Sequence, residues 1–273
     1  MSVTSRLIRE TGVVPRRSRG QNFLTDGRVA DRHIAYAGIQ SGDRVLEVGP
    51  GLGILTQRLI ERSDNVTCIE VDPTLADYME RTYGDRIRLV RGDATKVEFP
   101  PFDRFVSNLP YNVSTPIIFK LLEHDFERAV VMVQKEFADR MVADVGSPDY
   151  SRLTVNLFYR AECEILEGVP RSRFDPQPRV DSALVSIVPR PAPFHVGDEE
   201  TFFRVTRVCF DHRRKKIGTS LRDAMMISSP EDVPYANERI ENLRPTEIAE
   251  IANEIGRLRP PASYIYIASA DPS

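Results

Sequence analysis

The sequence predicts an α/β fold: a seven-stranded, mostly parallel sheet followed by a small helical domain. Three observations carry that reading. Short apolar runs alternate with helix-period segments from about residue 26 to 188, and the runs are nearly continuous in hydrophobicity rather than alternating. Strands covered by helices on both faces have that character, and alternation of the two element types is the mark of parallel crossover connections. A proline-rich stretch, P-R-P-A-P at 189–193, then separates this region from a carboxyl-terminal part that reads as helical.

Taken in order, 1–20 is a basic arm without hydrophobic periodicity, expected to be mobile or ordered by a partner. Residues 26–38 set Val29, Ala30, His33, Ile34 and Ala37 at helical spacing, with Gly38 as the stop. Strands are expected at 44–48, 66–71, 87–91, 102–106 and 129–133, with helices at 52–62 (Leu52, Leu55, Leu59, Ile60 on one face) and 73–83. A helical stretch at 150–160 and strands at 162–166 and 183–188 complete a seven-stranded sheet with an antiparallel edge. The sheet domain is thus placed at 1–189 and the helical domain at 190–273, where 199–210 and 245–255 are amphipathic.

With 273 residues, 41% hydrophobic and 28% charged, the composition is that of an ordinary globular protein. No apolar run approaches the roughly 18–20 residues that span a bilayer, and the amino terminus has no apolar core of a secretory signal, so the expected location is cytoplasmic. Cys68, Cys163 and Cys209 are scattered and lack metal-ligand spacing, as do the four histidines, so no metal is expected. The net charge of −3 hides two basic clusters, a local +4 in 1–20 and +6 in 204–222, on a body that carries −13. Such clusters are either solvated surface or a surface that tracks phosphate.

The first strand runs through E-V-G-P-G-L-G (47–53) into a helix. Glycines at such a turn let a ligand approach the backbone, but Gly49, Gly51 and Gly53 depart from the G-x-G-x-x-G spacing of dinucleotide sites. Glu70 ends the second strand, where an acid can hold ribose hydroxyls, and Asp93 follows the third, within reach of an adenine amino group. All lie at the carboxyl edge of one parallel sheet. The set favours an adenosine ligand without pyrophosphate, such as S-adenosylmethionine, over a dinucleotide. Glu47 is placed to orient the loop or to face a cationic ligand.

At the same edge the fourth strand ends in S-N-L-P-Y-N-V-S-T-P (107–116). An exocyclic adenine amine is a poor nucleophile because its lone pair is delocalised into the ring; acceptors for its N–H bonds favour a more reactive nitrogen. Asn108 offers a side-chain oxygen, Pro110 restricts Leu109 to an extended conformation that can aim its carbonyl the same way, and Tyr111 offers a face for an unstacked base. Methyl transfer to such an amine is an in-line displacement governed by positioning. Taken alone, the tetrapeptide N-L-P-Y reads more readily as a proline turn with a packed tyrosine than as a site.

R-G-Q-N-F-L (19–24), E-V-G-P-G-L-G-I-L-T, N-L-P-Y-N-V-S-T-P, M-V-Q-K-E (132–136), Y-S-R-L-T-V (150–155), F-D-P-Q-P-R-V-D-S-A (174–183) and F-D-H-R-R-K-K-I (210–217) occur in one order. Together they closely resemble the ribosomal RNA adenine dimethyltransferases, over about residues 16–225. The resemblance implies a Rossmann-like class I methyltransferase sheet that uses S-adenosylmethionine to dimethylate two adjacent adenosines near the 3′ end of small-subunit rRNA during subunit assembly. It also implies that Asn22, Leu24, Gly49, Gly51, Glu70, Asp93 and Asn108 line the cofactor pocket. Asn108, Leu109, Pro110 and Tyr111 would meet the target amine, with Phe174 facing the base opposite Tyr111. Arg16, Arg17, Arg19 and the run Arg213, Arg214, Lys215 and Lys216 would meet rRNA phosphate. Two readings stay open beside it: methylation of large-subunit rRNA, and a factor that binds RNA without catalysis. The stretch after about Ser228, including 260–268, matches no motif of the family.

Overall fold

A computed structural model of the chain describes residues 20–258. Seven strands form the main sheet: β2 (Arg44–Val48), β3 (Asn65–Glu70), β4 (Arg88–Arg91), β5 (Arg104–Asn108), β6 (Arg128–Gln134), β7 (Ala161–Val169) and β9 (Ser182–Pro189). Their order across the sheet is β4-β3-β2-β5-β6-β9-β7. The first five are mutually parallel, and β9 runs antiparallel to both β6 and β7. The antiparallel strand therefore lies one place in from the edge, not at the edge as the sequence suggested: β7 is added outside β9.

Two further strands, β1 (Phe23–Leu24) and β8 (Phe174–Asp175), make a separate antiparallel pair, with Phe23 opposite Asp175 and Leu24 opposite Phe174. Two residues per strand carry no periodicity, and the partners are 150 and 152 positions apart, so no local pattern announces them.

Helices cover the sheet. α1 (Gly27–Ala37) begins at Asp26, whose side chain accepts a 2.9 Å bond from the Arg28 amide, and stops at Gly38 in the left-handed conformation. α2 (Thr56–Leu59) is shorter than the expected 52–62, because the glycine turns run through residue 53 before a helix can start; Leu52, Leu55, Leu59 and Ile60 are nonetheless all buried. α3 (Pro73–Tyr83) is capped by Asp72 on the Thr74 amide, with Pro73 at the first helical position. α4 (Ser114–Leu121), α5 (Lys135–Met141) and α6 (Arg152–Arg160) follow. One apolar layer gathers around Phe105, Val131 and Ile187, the other around Val45, Val106 and Leu184.

The chain divides into two compact units. One comprises residues up to Asp144 together with Asp149–Pro193; the other comprises Val145–Pro148 and the residues from Phe194 on. The second unit is built on α7 (Glu199–Asp211), α8 (Ile217–Asp223) and α9 (Pro245–Leu258). The tetrapeptide Val145–Pro148 belongs to it through backbone contacts: the Gly146 amide donates to the Glu241 carbonyl at 2.9 Å, and Arg213 donates to the Pro148 carbonyl at 2.9 Å. Among the described residues no helix is long and apolar enough to cross a membrane, and no cluster of His, Cys, Asp or Glu could hold a metal ion.

His33 is the one histidine of α1, fully buried, and its Nε2 donates to the Val130 carbonyl of β6 at 2.8 Å. Desolvation pushes its pKa down to about 4. The folded state therefore keeps His33 neutral where the unfolded chain already takes up a proton. Stability contributed by this site falls as pH drops from about 6.5 towards about 4, by about 3 kcal/mol in all. Unfolding curves of wild type and His33→Gln between pH 7 and 4 are expected to converge as pH falls; parallel curves would contradict it.

Candidate active site

Three loops at the carboxyl ends of β2, β3 and β4 and the turn after β5 enclose a cavity of about 660 Å³, within the size range of small-molecule sites. Each cofactor residue expected from the sequence lines it: Asn22, Leu24, Gly49, Gly51, Glu70, Asp93 and Asn108. Leu109, Pro110 and Tyr111 line it too.

The loop after β2 is shaped by backbone that only glycine adopts readily. Gly51 has φ 57°, and a Cβ there would stand 3.0 Å from the Phe23 ring. At Gly53, φ 77°, a Cβ would collide with the Tyr83 hydroxyl, which donates to the Gly53 carbonyl at 3.0 Å. Glu70 closes the loop from the other side. Its carboxylate accepts from the Gly51 amide at 3.3 Å and from the Asp72 amide at 2.8 Å. Burial raises its pKa, while those amide bonds oppose the shift. The carboxylate keeps acceptor capacity for a ligand hydroxyl.

Glu47 lies beneath the loop with 1% of its surface exposed. Thr56 Oγ1 donates to it at 2.6 Å, and Cys68 Sγ lies 3.6 Å away. Desolvation pushes its pKa up to about 7. Of its two expected roles the bond to Thr56 serves the first, orienting the loop and the start of α2. Asp93 is different: hydrogen bonds from the Thr95 hydroxyl and amide hold its pKa below the usual carboxylate range, so it is a charged acceptor on the rim.

Asn108 is the last residue of β5. Its Nδ2 donates to the Asn22 carbonyl at 3.3 Å, which directs Oδ1 away from that contact. Leu109 continues the strand, its amide donating to the Met132 carbonyl at 3.0 Å. The turn at Pro110 follows, and Gly20 packs against it: a Cβ at Gly20 would lie 3.0 Å from the Tyr111 amide nitrogen and 2.9 Å from Asn112 Oδ1. Tyr111 Oη shares a 2.6 Å hydrogen bond with Ser182 Oγ, and burial raises the pKa of its hydroxyl. The structural role of Ser182 and of the Asn22 carbonyl was not visible in the sequence, since both depend on contacts 71 and 86 residues away.

Phe174 is a departure. It is 4% exposed, packed in the apolar layer with Leu24 and Val169, and it does not line the cavity. Its backbone is held by the pairing of β8 with β1, opposite Leu24, which itself lines the cavity. In the second unit Arg213, Arg214, Lys215 and Lys216 lie in the turn between α7 and α8. Arg213 donates within its own unit, to Glu241 at 2.8 Å as well as to the Pro148 carbonyl, and stays partly exposed. Arg214, Lys215 and Lys216 are exposed, Lys215 in an ion pair with Asp223 and Lys216 bonded to Asn237. Arg16, Arg17 and Arg19 lie outside the described residues.

The model of the family described as ribosomal RNA adenine dimethylase matches residues 14–256. The chain belongs to that family. The match runs past residue 225, where the recognisable motifs end, through most of the second unit. A Methanosarcina mazei relative, named a probable ribosomal RNA small subunit methyltransferase A, is 42% identical over 250 residues, covering 88% of this chain and 92% of its own. One of the same name from Methanothermobacter thermautotrophicus is 43% identical, covering 92% and 95%. Among solved structures, a dimethyladenosine transferase from Plasmodium falciparum superposes with a TM-score of 0.74 at 31% identity, covering 86% of this chain and 98% of that one. The 23S rRNA methyltransferase ErmE gives 0.65 at 30%, covering 86% and 100%.

The protein is therefore an rRNA adenine methyltransferase that uses S-adenosylmethionine. The residues present fit that cofactor: a buried carboxylate at the second strand end, a glycine-rich loop beside it and a charged rim acceptor share one cavity of suitable volume.

Gly53→Ala is expected to lower the melting temperature and to weaken S-adenosylmethionine binding by about tenfold, because the new Cβ displaces Tyr83 and with it the loop. Gly38→Ala, also at positive φ but with nothing within 4 Å of the new Cβ, serves as the control. It should cost about 1–2 kcal/mol of stability and leave binding unchanged in calorimetric titration.

Proposed function

We propose that the enzyme dimethylates two adjacent adenosines near the 3′ end of small-subunit rRNA, acting as a monomer on an immature subunit in the cytoplasm. The observation that carries this reading is the convergence of Asn108, Leu109 and Tyr111 on the cavity that also holds Glu70 and Asp93. Small-subunit rRNA is preferred because relatives about 42% identical are named for that subunit.

Bound S-adenosylmethionine supplies an electrophilic methyl group. Glu70 would accept from its ribose hydroxyls and Asp93 from its adenine amine, in keeping with one carboxylate fixed by backbone amides and one charged on the rim. The target adenine, drawn from its stack, lies on the Tyr111 face. Asn108 Oδ1 and the Leu109 carbonyl accept from its exocyclic N–H groups, drawing the nitrogen lone pair out of conjugation and towards the methyl group. Positioning supplies most of the acceleration. Each transfer would break the methyl–sulfur bond, leave neutral S-adenosylhomocysteine and give a cationic nitrogen that loses one proton to solvent; after the first, one N–H remains, so one of the two acceptors suffices for the second.

Methylation of large-subunit rRNA is the second reading, favoured by the likeness to ErmE. Labelled cofactor with immature small subunits, followed by mapping of the modified positions through reverse-transcription stops, separates the two. Dimethyladenosine in small-subunit rRNA supports the proposal, and its absence from a protein that binds cofactor normally would end it.

Asn108→Ala is expected to lower methyl transfer by about 100-fold or more while rRNA affinity, measured by filter binding, stays close to wild type. Equal losses in both would remove the role given to Asn108. Neutralising Arg214, Lys215 and Lys216 together should reduce the slope of log affinity against log salt by about 2 to 3. An unchanged slope places the phosphate contacts elsewhere.

A further inference from the structure

Ser182 opens β9 with no exposed surface, and its hydroxyl is the partner of Tyr111 Oη at 2.6 Å. On one side it stands opposite Gln134, the last residue of β6, and on the other opposite Val169, the last of β7. The loop 170–181 leaves and re-enters the sheet at this point, and its base is closed where the Arg171 amide donates to Asp181 Oδ1 at 2.9 Å. Ser182 therefore sits at a rigid corner of the sheet, fixed by ladders on both sides.

Tyr111 is held at its other end as well. Its backbone follows the Pro110 turn, and Gly20 approaches its amide so closely that no side chain fits between. A tyrosine gripped only at the backbone can swing its ring about two side-chain torsions. Gripped also at the hydroxyl, it presents a ring plane of fixed direction. From this geometry we infer that Ser182 is a positioning residue for methyl transfer: its hydroxyl tethers Tyr111 so that the ring is already set for the incoming adenine. A buried strand position of this kind has no packing need for oxygen; alanine would fill nearly the same volume. Among the described residues, the partner of that oxygen is Tyr111.

The inference rests on the proposed role of Tyr111 as the platform for the target base. Ser182→Ala, Tyr111→Phe and the double variant are compared with wild type in single-turnover methylation of immature small subunits. Each single variant is expected to lose about tenfold in rate, and the double variant no more than the larger single loss, because both remove the same bond. S-adenosylmethionine affinity should stay within about twofold throughout, which a general loosening of the domain would not allow. An independent readout is the Tyr111 hydroxyl proton, expected to exchange slowly in the NMR spectrum of wild type and quickly in Ser182→Ala.

A wild-type rate in Ser182→Ala, losses that multiply in the double variant, or cofactor affinity falling in step with rate would each overturn the inference. So would a hydroxyl proton that exchanges alike in both proteins. Should wild type transfer no methyl to small subunits, the functional reading fails, and the tether is judged by the NMR comparison alone.

Discussion

The carboxylate of Glu70 is the point on which the site is organised. It ends β3 and is almost fully buried, where an unpartnered charge would be costly, and two backbone amides hold it. One of those amides belongs to Gly51, so the buried charge fixes the glycine loop. The other belongs to Asp72, which in turn caps α3. Loop, strand end and following helix are thereby one mechanical unit before any ligand arrives. Glu47 repeats the device one strand over, joining β2 to α2 through Thr56.

Around that unit the remaining groups are referenced to backbone, with the Tyr111 hydroxyl held in addition by Ser182. Asn108 is aimed by the Asn22 carbonyl, Leu109 by its ladder bond to Met132, and Tyr111 by a proline turn against Gly20. Main-chain groups in a sheet do not change rotamer, so acceptors referenced to them stay where they are needed. This matters for a reaction in which positioning is the main source of rate. The small pair β1–β8 has the same use: it holds Phe23 and Leu24 at the cavity wall and keeps Asn22 within reach of Asn108.

Most of the sheet was legible because strands such as A-V-V-M-V and helices such as Pro73–Tyr83 declare themselves through local periodicity and capping. The cavity was legible for a related reason. Loops at one edge of a parallel sheet must converge, so an acid or glycine placed after a strand has a known address. What escaped was long-range or geometric. The pairing of Leu24 with Phe174 joins segments far apart in the chain, which no local pattern reports. The Glu241 carboxylate that engages Arg213 lies 28 residues on, in a segment without a recognisable motif. The place of β9 inside β7 was open because antiparallel order is decided by contacts between strands, not by either strand's own sequence.

The tetrapeptide Val145–Pro148 has a consequence for how such a chain can be recombined. Its backbone is bonded to Glu241 and Arg213, so the second unit is not a bead that begins after the prolines at 189–193. A chimaera joined only at that linker would give a foreign unit a clip it did not evolve with and leave the native one without its own. Exchange of the two units between relatives must therefore carry two segments at once, which makes their inheritance as a matched pair the easier path.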